Sequence, residues 1–178
     1  FTLEILQREA ALGRAPIVWE CFARPLFHEL LRCGPEELAR YAEVTEGLEY
    51  RIRRAAMSLS DWHVSTLLNQ LKTKRYTLTK LQRVLTRILL GHTKDQLSRE
   101  RLAAGVEYIR VLGFTERGRK LLREMRKKAA VPVVLSAARG KWEYLEMDAR
   151  ASAVYALAFR QASAADVMRD YTRPPVQV

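Results

Sequence analysis

From Leu78 the apolar residues recur at Leu78, Leu81, Leu85, Ile88 and Leu89, the spacing that gives an amphipathic helix one buried stripe. Thr77 stands at the N-cap position and Gly91 at the stop, so a helix is predicted between them. The same periodicity runs through most of the chain. Leu3, Ile5, Leu6, Ala10 and Leu12 predict a short helix that ends in the connector Gly13-Arg14-Ala15-Pro16. Trp19, Phe22, Leu26, Phe27, Leu30 and Leu31 predict a helical stretch over 19–33, interrupted at Pro25. Gly34-Pro35-Glu36-Glu37 restarts a helix to about Ala42. Thr45 is placed as the cap of a helix buried through Leu48, Ile52, Ala55 and Ala56, with Glu49 and Arg53 paired at i, i+4 on its outside. Ser60-Asp61 is placed as the cap of a helix with Val64, Leu67, Leu68 and Leu71 inward.

After Gly91 the pattern changes. Helical residues from Asp95 to Ala104 give way to a run bounded by Gly105 and Gly113, in which Val106, Tyr108, Arg110, Leu112 and Phe114 alternate with a second apolar set. That predicts a strand. Thr115 then caps a helix to about Ala129, with Leu121, Leu122 and Met125 inward and Arg117, Arg119, Lys120, Arg123, Arg126, Lys127 and Lys128 outward. Val131-Pro132-Val133-Val134-Leu135 predicts a second strand, its proline suited to an edge or a first position. Strand, helix, strand of this length suits a small parallel βαβ-like unit. Trp142 to Ala162 is again helical, and Tyr171-Thr172-Arg173-Pro174-Pro175 predicts an extended tail. The expected fold is mainly α, an antiparallel bundle of short helices followed by a small α/β element with strands near 106–114 and 131–135. The expected organisation is a connector over 1–18 from an upstream domain, a helical region over 19–98, and a C-terminal region over 99–178.

Charge changes this picture from fold to partner. The 178 residues hold 31 Lys and Arg against 20 Asp and Glu, a net charge of +11, which favours a polyanion such as nucleic acid. No apolar run of the ~18 residues needed to span a bilayer is present, and no signal-peptide core, so a cytoplasmic protein is expected. The cations concentrate at Lys72-Thr73-Lys74-Arg75-Tyr76-Thr77, and Lys80, Arg83 and Arg87 continue them along one ridge of the following helix. No Asp or Glu occurs between Asp61 and Asp95. Lys72, Lys74, Arg75, Lys80, Arg83 and Arg87 are therefore the candidate phosphate contacts. Tyr76 either stacks on an unpaired base or packs on its own helix. Arg51, Arg53 and Arg54, and Arg119 and Arg123 on the later basic helix, form secondary basic sets. The default for any such face is a solvated surface.

Catalytic patterns are missing. The sequence has no Gly-rich phosphate loop, no His-x-x-x-His or Cys-x-x-Cys spacing and no Gly-x-Ser-x-Gly elbow. His28 and His63 are expected to be structural and His92 exposed. Glu46 and Glu49 are dipole partners rather than an acid–base pair. Cys21 and Cys33 are expected as reduced core thiols, and Trp62 and Trp142 as core residues.

Taken in order, Glu46-Gly47-Leu48-Glu49-Tyr50-Arg51-Ile52, Lys72-Thr73-Lys74-Arg75-Tyr76-Thr77, Gln82-Arg83 with Leu89-Leu90-Gly91, and Tyr108-Ile109-Arg110-Val111-Leu112-Gly113-Phe114 with Gly118 resemble the C-terminal half of the bacterial tRNA(Met) cytidine acetate ligase family. The resemblance covers about residues 20–175. It implies an N-terminal nucleotidyltransferase-like domain with a His-x-Gly-His motif that uses ATP, with magnesium, to activate acetate, the acetyl group passing to N4 of the wobble cytidine of elongator tRNA(Met). It also implies that the present chain helps to hold the tRNA. The His-x-Gly-His motif is not among these 178 residues, and family members often carry Asn where this chain has Tyr50. The implied partners are elongator tRNA(Met) and the chain's own upstream catalytic domain. A structural module that braces that domain or forms a homo-oligomer is the alternative, and a sequence-independent DNA binder a third.

Overall fold

A computed structural model of the chain describes residues 2–137 and 142–178. It is mostly helical with small parallel sheets, and divides into two compact units, residues 1–101 and 102–178.

In the first unit the helices are α1 (Thr2–Ala11), α2 (Ala23–Arg32), α3 (Pro35–Leu38), α4 (Leu48–Met57), α5 (Val64–Leu71) and α6 (Leu78–Leu90), with a 3₁₀ turn at Trp19–Phe22 before α2. Pro25 falls in the first turn of α2, where no intrahelical amide is lost. The core is one cluster in which Leu26 and Leu30 of α2, Leu48 and Ile52 of α4, Leu67 and Leu71 of α5, and Leu81, Leu85 and Ile88 of α6 are all buried. α2 packs on both α4 and α6. These are the predicted stripes, because a helix repeat places them on one side whatever the neighbours are.

Several boundaries differ from expectation. The one-turn α3 stops at Leu38, short of Ala42. Thr45 does not cap α4. The helix starts at Leu48 after Gly47, which is left-handed at φ 79°, and Glu43 and Glu46 are also left-handed at φ 67° and 61°. Ser60-Asp61 does not cap α5, which starts at Val64; its first amides, of Val64 and Ser65, each donate to the Glu20 carboxylate at 2.9 Å. Arg53 does not pair with Glu49 but donates to the Leu30 and Leu31 carbonyls at 2.6 Å each, closing the end of α2. Trp62 is 55% exposed, edge-on to Phe27 at 5.2 Å, and is not a core residue. Cys21 is exposed and Cys33 buried, both as free thiols. His28 is exposed beside Glu29, and His92 is half-buried, not exposed, its carbonyl accepting from the Ala42 amide.

α7 (Arg99–Ala103) spans the division between the units. In the second unit the expected long strand is two short ones, β1 (Ile109–Arg110) and β2 (Gly113–Phe114). β1 pairs in parallel with β3 (Val133–Val134), with Ile109 opposite Val133, across α8 (Glu116–Lys128). β2 pairs in parallel with β4 (Val176–Gln177), so the tail read as merely extended supplies a strand. α9 (Glu143–Ala156) is shorter than predicted and is followed by α10 (Ala164–Val167) and α11 (Arg169–Thr172). Val134, Ala137, Leu145 and Ala149 form this unit's small core, with Tyr108, Trp142 and Tyr171 against it. Leu121, expected inward, is 62% exposed, and no residue of α8 is buried.

Candidate nucleic-acid interface

The turn that opens α6 is fastened from within. The Thr73 amide donates to the Tyr76 carbonyl at 3.1 Å, and the Tyr76 amide donates to Thr73 Oγ1 at 3.0 Å. Thr77 Oγ1 accepts from the Lys80 amide, and Gly91, left-handed at φ 70°, ends the helix, both as the sequence predicts. The turn thus presents its charge through side chains, with two of its amides already satisfied inside it. Tyr76 is 6% exposed and belongs to the core cluster. Lys80 Nζ lies 4.9 Å from its ring centre, a cation–π contact over the same side chain. Of the two roles open to Tyr76, packing is the one observed, and no ring face is left for a base.

The six candidate cations divide into three sets, Lys80 standing by itself over the Tyr76 ring. Lys72 and Lys74 are exposed, without an ion pair among the described residues. Arg75, Arg83 and Arg87 meet carboxylates that are distant in sequence. Arg75 pairs with Glu46, Arg83 Nε donates to Glu43 at 3.0 Å with a second contact through its Nη2, and Arg87 Nε lies 3.7 Å from Glu43. Arg87 Nη1 also lies 3.2 Å from His92 Nδ1. The ridge therefore has no acidic residue in sequence but two in space. Glu43 and Glu46 are the two non-glycine residues in the left-handed region among the described residues, a conformation that costs an L residue about 1–2 kcal/mol. The loop that holds them is tied down by the Ala42 amide donating to the His92 carbonyl and the Lys94 amide donating to that of Arg40, both at 2.9 Å.

Of the secondary cations, Arg51 is half-buried and Arg54 exposed on α4. In the second unit Arg119 donates to Gln177 at 2.5 Å and lies 3.4 Å from Glu116, which joins α8 to β4, whereas Arg123 is exposed. Cys33, Tyr41 and Glu20, away from the ridge, are shifted by their surroundings. Burial pushes the Cys33 thiol up and, with a hydrogen bond to that thiol, raises Tyr41 to about 12. Glu20 is pulled the other way: burial raises its carboxyl, but the amides of Ser65 and Val64 bring it below 4.5. Among the described residues no group of three or more His, Cys, Asp or Glu is placed to hold a metal, and no helix is long and apolar enough to cross a membrane.

Fold and surface together describe a strongly basic, mainly helical protein of two units with small parallel sheets. The family model described as HIGH Nucleotidyl Transferase matches residues 1–170, and the chain belongs to that family. The tRNA(Met) cytidine acetate ligase of Lysinibacillus sphaericus is 35% identical over 160 residues, which is 89% of this chain and 38% of the relative. That of Acetivibrio thermocellus is 35% identical over 134 residues, 75% of this chain and 32% of the relative. The chain thus spans 32% to 38% of these relatives' length. In solved structures, Thermotoga maritima TmcAL bound with alpha-thio ATP superposes with a TM-score of 0.82 at 26% identity, over 99% of this chain and 46% of that one. The apo form gives 0.83 at the same identity, over 99% and 45%.

Proposed function

We propose that this chain is the C-terminal, tRNA-binding part of an ATP-dependent ligase that acetylates the wobble cytidine of elongator tRNA(Met) to N4-acetylcytidine. The observation that carries the reading is the pair Lys72 and Lys74, exposed and unpaired among the described residues, at the head of a ridge continued by Lys80, Arg83 and Arg87. The relatives, tRNA(Met) cytidine acetate ligases, supply the substrate class. Residues 1–18 are the connector to an upstream catalytic domain, to which ATP, magnesium and acetate are assigned, as the His-x-Gly-His motif is not among these residues. The lysines meet phosphate first. Arg75 and Arg83 join by exchanging a surface carboxylate, in pairs worth about 0–1 kcal/mol, for a phosphate that releases counterions. Tyr76 contributes by holding the turn in place.

The test is a salt titration of elongator tRNA(Met) binding, with an unrelated tRNA and a duplex DNA as competitors. A Lys72→Ala, Lys74→Ala double variant is expected to reduce the slope of log affinity against log salt by about two. Unchanged affinity in this variant and in Arg75→Ala, Arg83→Ala would overturn the reading. The second reading, a module that braces the catalytic domain or pairs with a second copy, is favoured by one observation, the neutralisation of Arg75, Arg83 and Arg87 by Glu46 and Glu43. It predicts an assembly that forms without RNA and ignores these substitutions.

A further inference from the structure

Within residues 102–178 a cleft of about 220 Å³ opens where the parallel strands β1 and β3 end, beside Val111 just past the one and Leu135 and Ser136 just past the other. The carboxyl ends of parallel strands are where α/β sheets receive ligands. Here the opposite wall is α11 with Pro174 and Pro175. Three arginines line the cleft, Arg110 from β1 and Arg169 and Arg173 from α11 and its exit, against one lining acidic residue, Asp170. Arg110 is held by Asp170 at 3.1 Å, both side chains largely buried. Arg169 lies 3.5 Å from Asp166, whose other oxygen accepts from the Ser163 hydroxyl. Arg173 is exposed and has no ion pair among the described residues. Its amide donates to the Arg169 carbonyl at 2.8 Å, which sets the two arginines one turn apart at the same wall.

The charge excess does not serve the fold. One carboxylate suffices for Arg110, Asp166 is already committed to its own cap, and Arg173, which lines the cleft, has no ion pair among the described residues. The volume is below the ~300–1,000 Å³ of pockets that take whole small molecules, so a compact anion fits and a complete nucleotide does not. Guanidinium groups match the oxygens of phosphate in paired hydrogen bonds. We propose that this cleft binds a phosphate group, with Arg173 as the principal contact, Arg110 and Arg169 beside it, and Asp170 weakening the site by occupying Arg110. The phosphate belongs to a nucleotide tip or to an RNA strand; the site stands on the second unit and does not depend on the turn at 72–77.

Calorimetric titration of the full protein with inorganic phosphate tests it. Saturable binding is expected, weakened about tenfold or more by Arg173→Gln, since hydrogen bonds to charged groups are worth at least that factor. Asp170→Asn, which frees Arg110 while keeping the side-chain shape, is expected to tighten binding. Displacement of phosphate by adenosine monophosphate identifies a nucleotide as the source, and displacement by an RNA oligomer without terminal phosphates identifies the strand; either supports the site. Absence of saturation, or equal affinity in the wild type, Arg173→Gln and Asp170→Asn, would overturn it.

Discussion

Tyr76 shows how one residue's role turns on burial. An aromatic between cations suits base stacking by composition, yet its ring is inside the core and Lys80 lies over its face. Tyr76→Ala is therefore expected to cost ~3–5 kcal/mol, as aromatic truncations in cores do, read by urea unfolding. Tyr76→Phe should leave tRNA affinity unchanged; a large loss of affinity in the Phe variant would return the residue to the interface. Glu43 makes the converse case. Glu43→Gln frees Arg83 and Arg87, so tRNA binding measured by fluorescence anisotropy should strengthen at low salt, while stability moves by no more than about 1 kcal/mol. The cysteines are expected to differ in the same way. Under native conditions iodoacetamide should modify Cys21 alone, with Cys33, buried and with its thiol pushed up, reacting only after denaturation.

At the scale of elements, helix cores were legible in the sequence and helix starts were less so. α6 carries its own cap and stop in Thr77 and Gly91, and both hold. α5 takes its cap from Glu20, more than forty positions upstream, a pairing that no local pattern contains. Glu20→Gln is expected to cost about 1 kcal/mol, the ordinary value of a lost cap. The pH dependence has a definite sign. The folded carboxyl titrates below its usual 4.5, so the unfolded chain binds the extra proton. The stabilisation is then present above about that pH and disappears as the folded group protonates. Thermal melts from pH 7 to 3 should show a steeper acid loss in the wild type than in Glu20→Gln. The β region has the same lesson. The alternating run over 106–114 was legible as strand, but its division between two sheets depends on β3 and on the chain's last residues.

For the whole molecule, the two units differ in what holds them. The first buries a continuous core from five helices, α2 to α6, whereas the second has a small core and an α8 with no buried residue. Since resistance to local opening follows buried contact, amide exchange is expected to be slowest in α2, α4, α5 and α6 and fastest in α8. Comparable protection in α8 would show that something in solution covers its exposed Leu121.

The sequence by itself determined the helical class, the buried stripes, the strand pair on either side of α8 and the positive charge, because periodicity and composition are properties of neighbours along the chain. Only the tertiary structure decided which cations are already paired, that Tyr76 is packed, and that Arg110, Arg169 and Arg173 share a cleft. Coulombic and packing interactions act over a few ångströms in space, and residues such as Glu43 and Arg83 come within that range only after the chain has folded.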